Sequence, residues 1–366
     1  MRGIMVHSLM ERGVAFEDAY RAAHQIRERL RGRRVVRKEE LARALREILG
    51  PAALEEGRGR RADGIVVAGD GSKGLPFSKG ILSQSILASA LDPHDAFDVA
   101  REIERELVAR GIREIDRRDL RRLTYEILGR KSGEQAALRY LVWRRYQEPD
   151  KPVAILLGGT SGVGKTSLAV EVAHRLGIAR VLSTDSIRQI MRITLSPELV
   201  PALHCSSYDA YKRLPARSGG LDPVIEGFLA QATTVAVGIR ASLDRAVAEN
   251  SSLLVDGVSV VPGILALEPY AERAYVIFLV IGTLDEEALR NRFAARATGE
   301  QQRAAHRYLE NFEAICKIQD HFLELAERYG IPIVDNSSFD RSVLFVIRHV
   351  TDTLRKRGDF DARDLL

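Results

Sequence analysis

The chain has 366 residues, 45% of them hydrophobic and 29% charged, which is too apolar for a disordered chain and long enough for two domains with cores of their own. Lys and Arg number 55 against 50 Asp and Glu; a net +5 spread over this length makes nucleic acid an unlikely partner and gives no basic arm. The longest apolar runs, 153–157 and 275–281, fall far short of the ~20 residues a bilayer needs, and the first residues carry no signal-type apolar core, so no membrane partner and a cytoplasmic location are expected. Cys205 and Cys316 show neither Cys-x-x-Cys nor His-rich spacing, which argues against a disulfide framework and a structural zinc. Any metal must arrive with a ligand.

The first 148 residues read as helical and duplicated. Positions 3–30 match 80–107 at an offset of 77, sharing Ser8/Ser85, Asp18/Asp95, Ala19/Ala96, Ala23/Ala100 and Ile26/Ile103. The match resumes at an offset of 79, where Leu41, Arg43, Glu47, Ile48, Leu49 and Gly50 fall on Leu120, Arg122, Glu126, Ile127, Leu128 and Gly129. Each copy predicts three helices; in the second, one carries Ile81, Leu82 and Ile86, one follows Asp92-Pro93, and one is opened by Asp116. Ahead of the second copy, Ile65-Val66-Val67, Gly69-Asp70-Gly71 and Leu75-Pro76-Phe77 predict a hairpin with a glycine-rich turn. A polar joint with two prolines, 147–152, then sets the boundary between domains at 1–148 and 149–366.

Residues 153–167 read Val-Ala-Ile-Leu-Leu-Gly-Gly-Thr-Ser-Gly-Val-Gly-Lys-Thr-Ser, an apolar strand running through Gly159-x-x-x-x-Gly164-Lys165-Thr166 into a helix with Leu168, Val172 and Leu176. This is a P-loop in its required strand-to-helix setting. Gly159, Thr160, Ser161, Gly162, Val163, Gly164 and Ser167 would line the phosphates of ATP, Lys165 would bridge the β- and γ-phosphates as a catalytic group, and the Thr166 hydroxyl would hold Mg²⁺. A second strand, 181–183, ends at Asp185, placed to take or orient the proton of an acceptor hydroxyl; the position also suits an N-cap. Arg188, one turn on, would hold an anionic acceptor. A third strand, 252–256, ends in Asp256, the usual place for a metal ligand reached through water.

After a fourth strand, 275–281, come Arg292, Arg296, Arg303 and Arg307, which share a face if one helix carries them; Gly299 is expected to break that helix into two arms of a lid, 285–312. Arg296 is the expected catalytic cation of this lid and Arg292, Arg303 and Arg307 its substrate-binding ones, although a solvated charged face reads the same way. The last strand, 331–335, leads to Asn336 beside the expected adenine position. The whole predicts an α/β fold with a parallel five-stranded sheet flanked by helices.

Two resemblances sharpen these expectations. Hairpin, three helices and a closing helix with Ala136, Tyr140 and Arg144 resemble the ATP-cone, a nucleotide-sensing module, over about 62–147; a second ATP there, or a helical cap that builds a homo-oligomer, are the readings it leaves. The second half resembles the 2-phosphoglycerate kinase family through Gly158–Thr166, Ser183–Arg188, Ser196-Pro197-Glu198-Leu199 and Leu203-His204-Cys205-Ser206-Ser207-Tyr208. Asp256-Gly257-Val258, Arg307-Tyr308-Leu309-Glu310-Asn311-Phe312 and Ile331-Pro332-Ile333-Val334-Asp335-Asn336 extend it. The family more often has Glu at position 256 and an acid or polar residue at 205. The resemblance implies ATP-dependent phosphorylation of the 3-hydroxyl of 2-phosphoglycerate, a small phosphorylated acid whose charge of about −3 needs several cations. A kinase of another phosphorylated small molecule such as an inositol phosphate, a polynucleotide 5′-kinase and an ATP-dependent switch use the same residues.

Overall fold

The computed structural model describes residues 65–69, 72–147, 150–215, 220, 222–296 and 302–358, together with 9, 18, 21, 22, 25, 26, 29 and 38–49. They fall into two compact units, one drawn from residues up to Leu138 and the other from Ala88–Ala90 and Arg139 onward.

In the first unit, helix α1 (Lys38–Leu49) is followed by strands β1 (Val66–Gly69) and β2 (Ser72–Pro76), then α2 (Lys79–Ile86) and α3 (Pro93–Ala109), strand β3 (Glu114–Asp116) and α4 (Arg117–Ser132). The expected hairpin is present: β1 and β2 run antiparallel with Val66 opposite Pro76 and Val67 opposite Leu75. Its turn residues Asp70 and Gly71 lie outside the described residues. Local capping starts α3 and α4, as Asp92 accepts from His94 N at 2.9 Å and Asp116 from Arg118 N and Asp119 N at 2.6 and 2.8 Å. Strand β3 is an addition to the expected order, a three-residue piece parallel to β1 that ends on the Asp116 cap.

Most of the first repeat, 3–30, lies outside the described residues, but those described carry the duplication into the packing. Leu9, Ala22, Ile26, Ala44 and Leu45 are buried, and their counterparts at the two offsets, Ile86, Val99, Ile103, Leu123 and Thr124, are buried too. Both copies thus turn the same helix faces inward.

The second unit begins within α5 (Glu134–Arg145) and holds β4 (Val153–Gly158), α6 (Lys165–Leu176), β5 (Arg180–Ser183), α7 (Thr184–Thr194), α8 (Pro223–Ala248) and β6 (Leu253–Gly257). After it come β7 (Tyr275–Gly282), α9 (Glu286–Arg296), α10 (Gln302–Glu310), α11 (Phe312–Arg328), β8 (Ile333–Asp335) and α12 (Phe339–Arg357). The strands form one parallel sheet in the order β5-β6-β4-β7-β8, the α/β architecture expected. Because chain order reverses beside β4, the crevice at the strands' carboxyl ends opens there.

Strands β4 and β6 are buried along their whole length, hence the apolar runs 153–157 and 253–255 that lead to Gly158 and Asp256. Side chains of β4 alternate between two cores: Val153, Ile155 and Leu157 pack with Leu168, Val172, Phe228, Phe322 and Ile347, whereas Ala154 and Leu156 pack with Val235, Ile239 and Leu243. Helix α8 feeds both cores; it is long and apolar enough to cross a membrane, and Val224, Phe228, Ala232, Val235, Ile239 and Leu243 bury one side of it inside the protein. Phe228 is 1% exposed, with its ring 5.6 Å from Phe322. Phe228→Ala is expected to cost about 3–5 kcal/mol in urea unfolding, while Ile193→Ser, on the exposed side of α7, changes it by less than about 0.5 kcal/mol.

Candidate active site

Three strand ends meet at the crevice. In the sheet register Leu157 stands opposite Asp256, Gly158 opposite Gly257, and Ser183 opposite Asp256, so the P-loop after β4, the acid closing β6 and the turn after β5 share one edge. The loop curls because Gly162 and Gly164 both take φ of 87°, a left-handed conformation that costs glycine little. A Cβ on Gly162 would also come within 2.2 Å of the Phe293 ring, and one on Gly164 within 2.6 Å of Asn336 Nδ2. Gly164 then opens α6, whose first N–H groups and dipole face the crevice.

At the start of α6, Lys165 is 7% exposed and its Nζ donates to Thr160 O at 2.6 Å. Next to it the Thr166 hydroxyl donates to Asp256 Oδ2 at 2.7 Å. The other oxygen of Asp256 is buried without a hydrogen-bond partner. Burial pushes the Asp256 carboxyl up from its ordinary pKa; the Thr166 hydrogen bond and the Lys165 charge oppose that, and the Asp185 carboxylate adds to it. A hydroxyl and a half-satisfied carboxylate are hard oxygen donors, and they fit a divalent cation such as Mg²⁺ that takes its remaining ligands from phosphates and water. Among the described residues no group of three or more His, Cys, Asp and Glu could hold an ion by itself.

Asp185 lies on the first turn of α7, and its carboxylate is not the helix cap, since Ser183 Oγ accepts from Asp185 N at 3.2 Å and fills that role. The carboxylate is 77% exposed and faces the same cleft. Arg188 donates through Nη1 to Leu203 O at 3.2 Å and Cys205 O at 3.0 Å, and reaches Asp185 Oδ1 from Nη2 at 3.4 Å. The 204–208 segment is a pair of 3₁₀ turns, Pro201–His204 and Ser207–Arg213, joined at Cys205.

The cleft brings together Ser161, Gly162, Gly164, Lys165, Thr166, Ser167, Asp185 and Asp256 around about 170 Å³. Gly159, Thr160 and Val163 sit behind this lining; Thr160 Oγ1 donates to Ile315 O at 3.2 Å, and Val163 is buried. Asn336 is also behind it: Nδ2 donates to Val163 O at 2.8 Å, while its Oδ1 is buried without a partner. Arg292 braces the same spot, donating to Thr283 Oγ1 at 3.0 Å, to Val163 O at 3.4 Å and to Asn336 O. Arg292 lies on α9 and Arg307 on α10, where it is exposed. The side chains of Arg296 and Arg303, with Gly299, lie outside the described residues.

Four lining residues were not among the expected site residues: Ser183, Gly257, Val258 and, on α10, Tyr308. Its ring stacks on Phe293 at 4.9 Å and stands edge-on to Tyr208 at 6.0 Å, so an aromatic row runs from under Gly162 to the 3₁₀ segment. For Tyr308 the signal in the sequence was its place in the Arg307–Phe312 stretch that carries the family resemblance. Ser183, Gly257 and Val258 complete the lining.

No protein-family model matches the chain. Individual relatives do. A 2-phosphoglycerate kinase of Pyrococcus furiosus is 35% identical over 297 residues, covering 80% of this chain and 96% of the relative. The chain belongs to the 2-phosphoglycerate kinase family. Family members from Methanopyrus kandleri and Methanocaldococcus jannaschii are 39% and 38% identical, over 77% and 80% of this chain and 86% and 92% of their own lengths.

The raised Asp256 carboxyl has a thermodynamic consequence. Between the ordinary carboxylate value and its raised value, the folded protein binds more protons than the unfolded chain, so stability falls as pH rises through that window. Asp256→Asn, free of that charge, is expected to be more stable than the parent in urea at about pH 7.5, with the gain shrinking as pH falls to about 4. An equal gain at both pH values would mean that the carboxylate carries no such cost.

Proposed function

We propose that this chain transfers the γ-phosphoryl group of ATP to the 3-hydroxyl of 2-phosphoglycerate, giving 2,3-bisphosphoglycerate and ADP. The observation that carries the reading is the juxtaposition of Asp185 with Lys165 and the Thr166–Asp256 pair in one cleft, in a chain that spans nearly the full length of its 2-phosphoglycerate kinase relatives. Of the other acceptors, a nucleic acid is disfavoured by a net charge of only +5 over 366 residues.

In this reading the P-loop backbone and the α6 N-terminus cradle the β- and γ-phosphates, and Lys165 moves from Thr160 O to bridge them. Thr166 and Asp256 hold Mg²⁺, which neutralises charge on the phosphates when bound. Asp185 takes the proton as the acceptor oxygen bonds to the γ-phosphorus, while the bond from that phosphorus to the β,γ-bridging oxygen breaks and ADP leaves. Arg188, fixed by two carbonyls, orients Asp185 and faces the acceptor's negative groups. Asn336 and Arg292 keep the far side of the P-loop in place, and the arginines of α9 and α10, Arg296, Arg303 and Arg307 among them, belong to a lid over about 285–312 that adds positive charge as it closes. On the same reading, residues 1–148 form an ATP-cone-like regulatory region, 149–366 the catalytic one, and the enzyme works in the cytoplasm.

The test is a phosphoryl-transfer assay with ATP and Mg²⁺ across 2-phosphoglycerate, 3-phosphoglycerate, glycerate, an inositol phosphate and a 5′-hydroxyl oligonucleotide, with products identified by NMR. The 2,3-bisphosphate from 2-phosphoglycerate is the expected product; turnover confined to another acceptor sinks the assignment. Asp185→Asn is expected to lower kcat by about 10²–10⁴ with the KM for ATP within about threefold, and an unchanged kcat would remove Asp185 from the proton's path.

A further inference from the structure

Among the described residues, every one that lines the cleft but one comes from the strand ends and the helices they open. The exception is Tyr308, which α10 brings in, and its ring is held from several directions. Phe293, fully buried, stacks on it at 4.9 Å and is itself set against Gly162 and edge-on to Phe312 at 6.3 Å. Tyr208, buried in the 3₁₀ turn Ser207–Arg213, stands edge-on to it at 6.0 Å. Just past α10, Asn311 Oδ1 accepts from Lys212 Nζ of that turn at 3.3 Å, and Asn311 Nδ2 donates to Arg307 O at 2.9 Å. A ring wedged between the phosphate-binding turn and the 3₁₀ turn keeps its place in the cleft.

Other tyrosines of this unit spend their hydroxyls inside the protein. Tyr146 donates to Leu354 O at 3.2 Å and Tyr270 to Asp244 Oδ1 at 2.9 Å. Tyr208 is paired with Ser206: burial pushes its hydroxyl up, that hydrogen bond opposes the shift, and the neighbouring Tyr308 adds to it. Among the described residues nothing takes the Tyr308 hydroxyl, although a half-buried tyrosine ordinarily finds a partner. The partner that remains is a ligand in the cleft, and the donors around it, Lys165, Ser161, Ser167 and the N–H groups opening α6, suit phosphate. The loop's own N–H groups enclose the β-phosphate, so the phosphate open to residues outside the loop is the terminal one, which must also lie beside Asp185 to be transferred.

We propose that Tyr308 contacts the terminal phosphate of ATP, its hydroxyl donating a hydrogen bond to one of that group's oxygens. The proposal rests on the ATP-dependent reaction assigned above and adds a substrate contact to it. A hydrogen bond to an ionised phosphate oxygen is roughly twice as strong as one between neutral groups, and ADP, which lacks that phosphate, does not receive it. Tyr308 thereby favours the triphosphate over the diphosphate.

The test titrates ADP and the β,γ-imido analogue of ATP, each with Mg²⁺, calorimetrically onto wild type and Tyr308→Phe, a variant that keeps the ring and its stack on Phe293. Tyr308→Phe is expected to weaken the analogue about threefold or more relative to ADP, with ADP itself within about twofold of wild type. A smaller relative loss overturns the contact, as does a loss shared equally by ADP and the analogue, which would report ring packing alone. Neither titration needs an acceptor, so a chain that leaves 2-phosphoglycerate unreacted fails the acceptor assignment while the Tyr308 contact is still read. Wild type that binds neither nucleotide overturns both.

Discussion

The short hydrogen bond from Thr166 to Asp256 is the contact on which the rest of the site depends. It joins the first turn of α6 to the last residues of β6, and it does so over a carboxylate that is 1% exposed and has one oxygen without a partner. Leaving a buried acceptor unsatisfied costs about 1–3 kcal/mol, more when it is charged, so this is a place of stored cost rather than of stability. The sheet bears it because β6 is paired on both sides, with β4 and with β5, and its end cannot turn away. The positive end of α6 and Lys165 lower the cost without removing it, and a divalent cation would complete the unsatisfied oxygen.

Around that centre, arginine has two uses that sequence alone does not separate. Arg292 and Arg188 both donate to backbone carbonyls, the first closing the P-loop against the exit of β8 and the second pinning the turn at Cys205. A guanidinium has five donors, so this structural grip leaves hydrogen bonds for a ligand. The aromatic row Phe293, Tyr308 and Tyr208 starts against the P-loop, with the Phe293 ring under Gly162. Because Phe293 fills the space that a side chain at position 162 would need, a movement of α9 or α10 is felt at the phosphate-binding turn.

How far the site was legible depended on the range of the interaction that makes it. The P-loop was legible because its demands are local: glycines at fixed spacing for left-handed backbone, and Lys165-Thr166 at a helix start. The parallel sheet was legible because strands covered on both faces read as near-continuous apolar runs, broken in β6 only by Asp256 at its carboxyl end. Strand β3 was not, since three residues carry no period and their pairing with β1 is across the whole of α2 and α3. The cap of α7 was ambiguous, because Ser183 and Asp185 can each cap a helix and the backbone decides which does.

The sequence by itself determined the reaction class, the α/β architecture, the duplicated helical faces and the acids at the ends of β5 and β6, since each follows from backbone conformation or side-chain period over a short stretch. Tertiary structure alone decided that Arg292 faces the P-loop carbonyls, that Tyr308 enters the cleft, and that Arg188 reaches the carbonyls of Leu203 and Cys205. Those outcomes depend on how α7, α9, α10 and the 3₁₀ turns pack on the sheet, and no local spacing encodes the direction of a long, flexible side chain that several partners could satisfy.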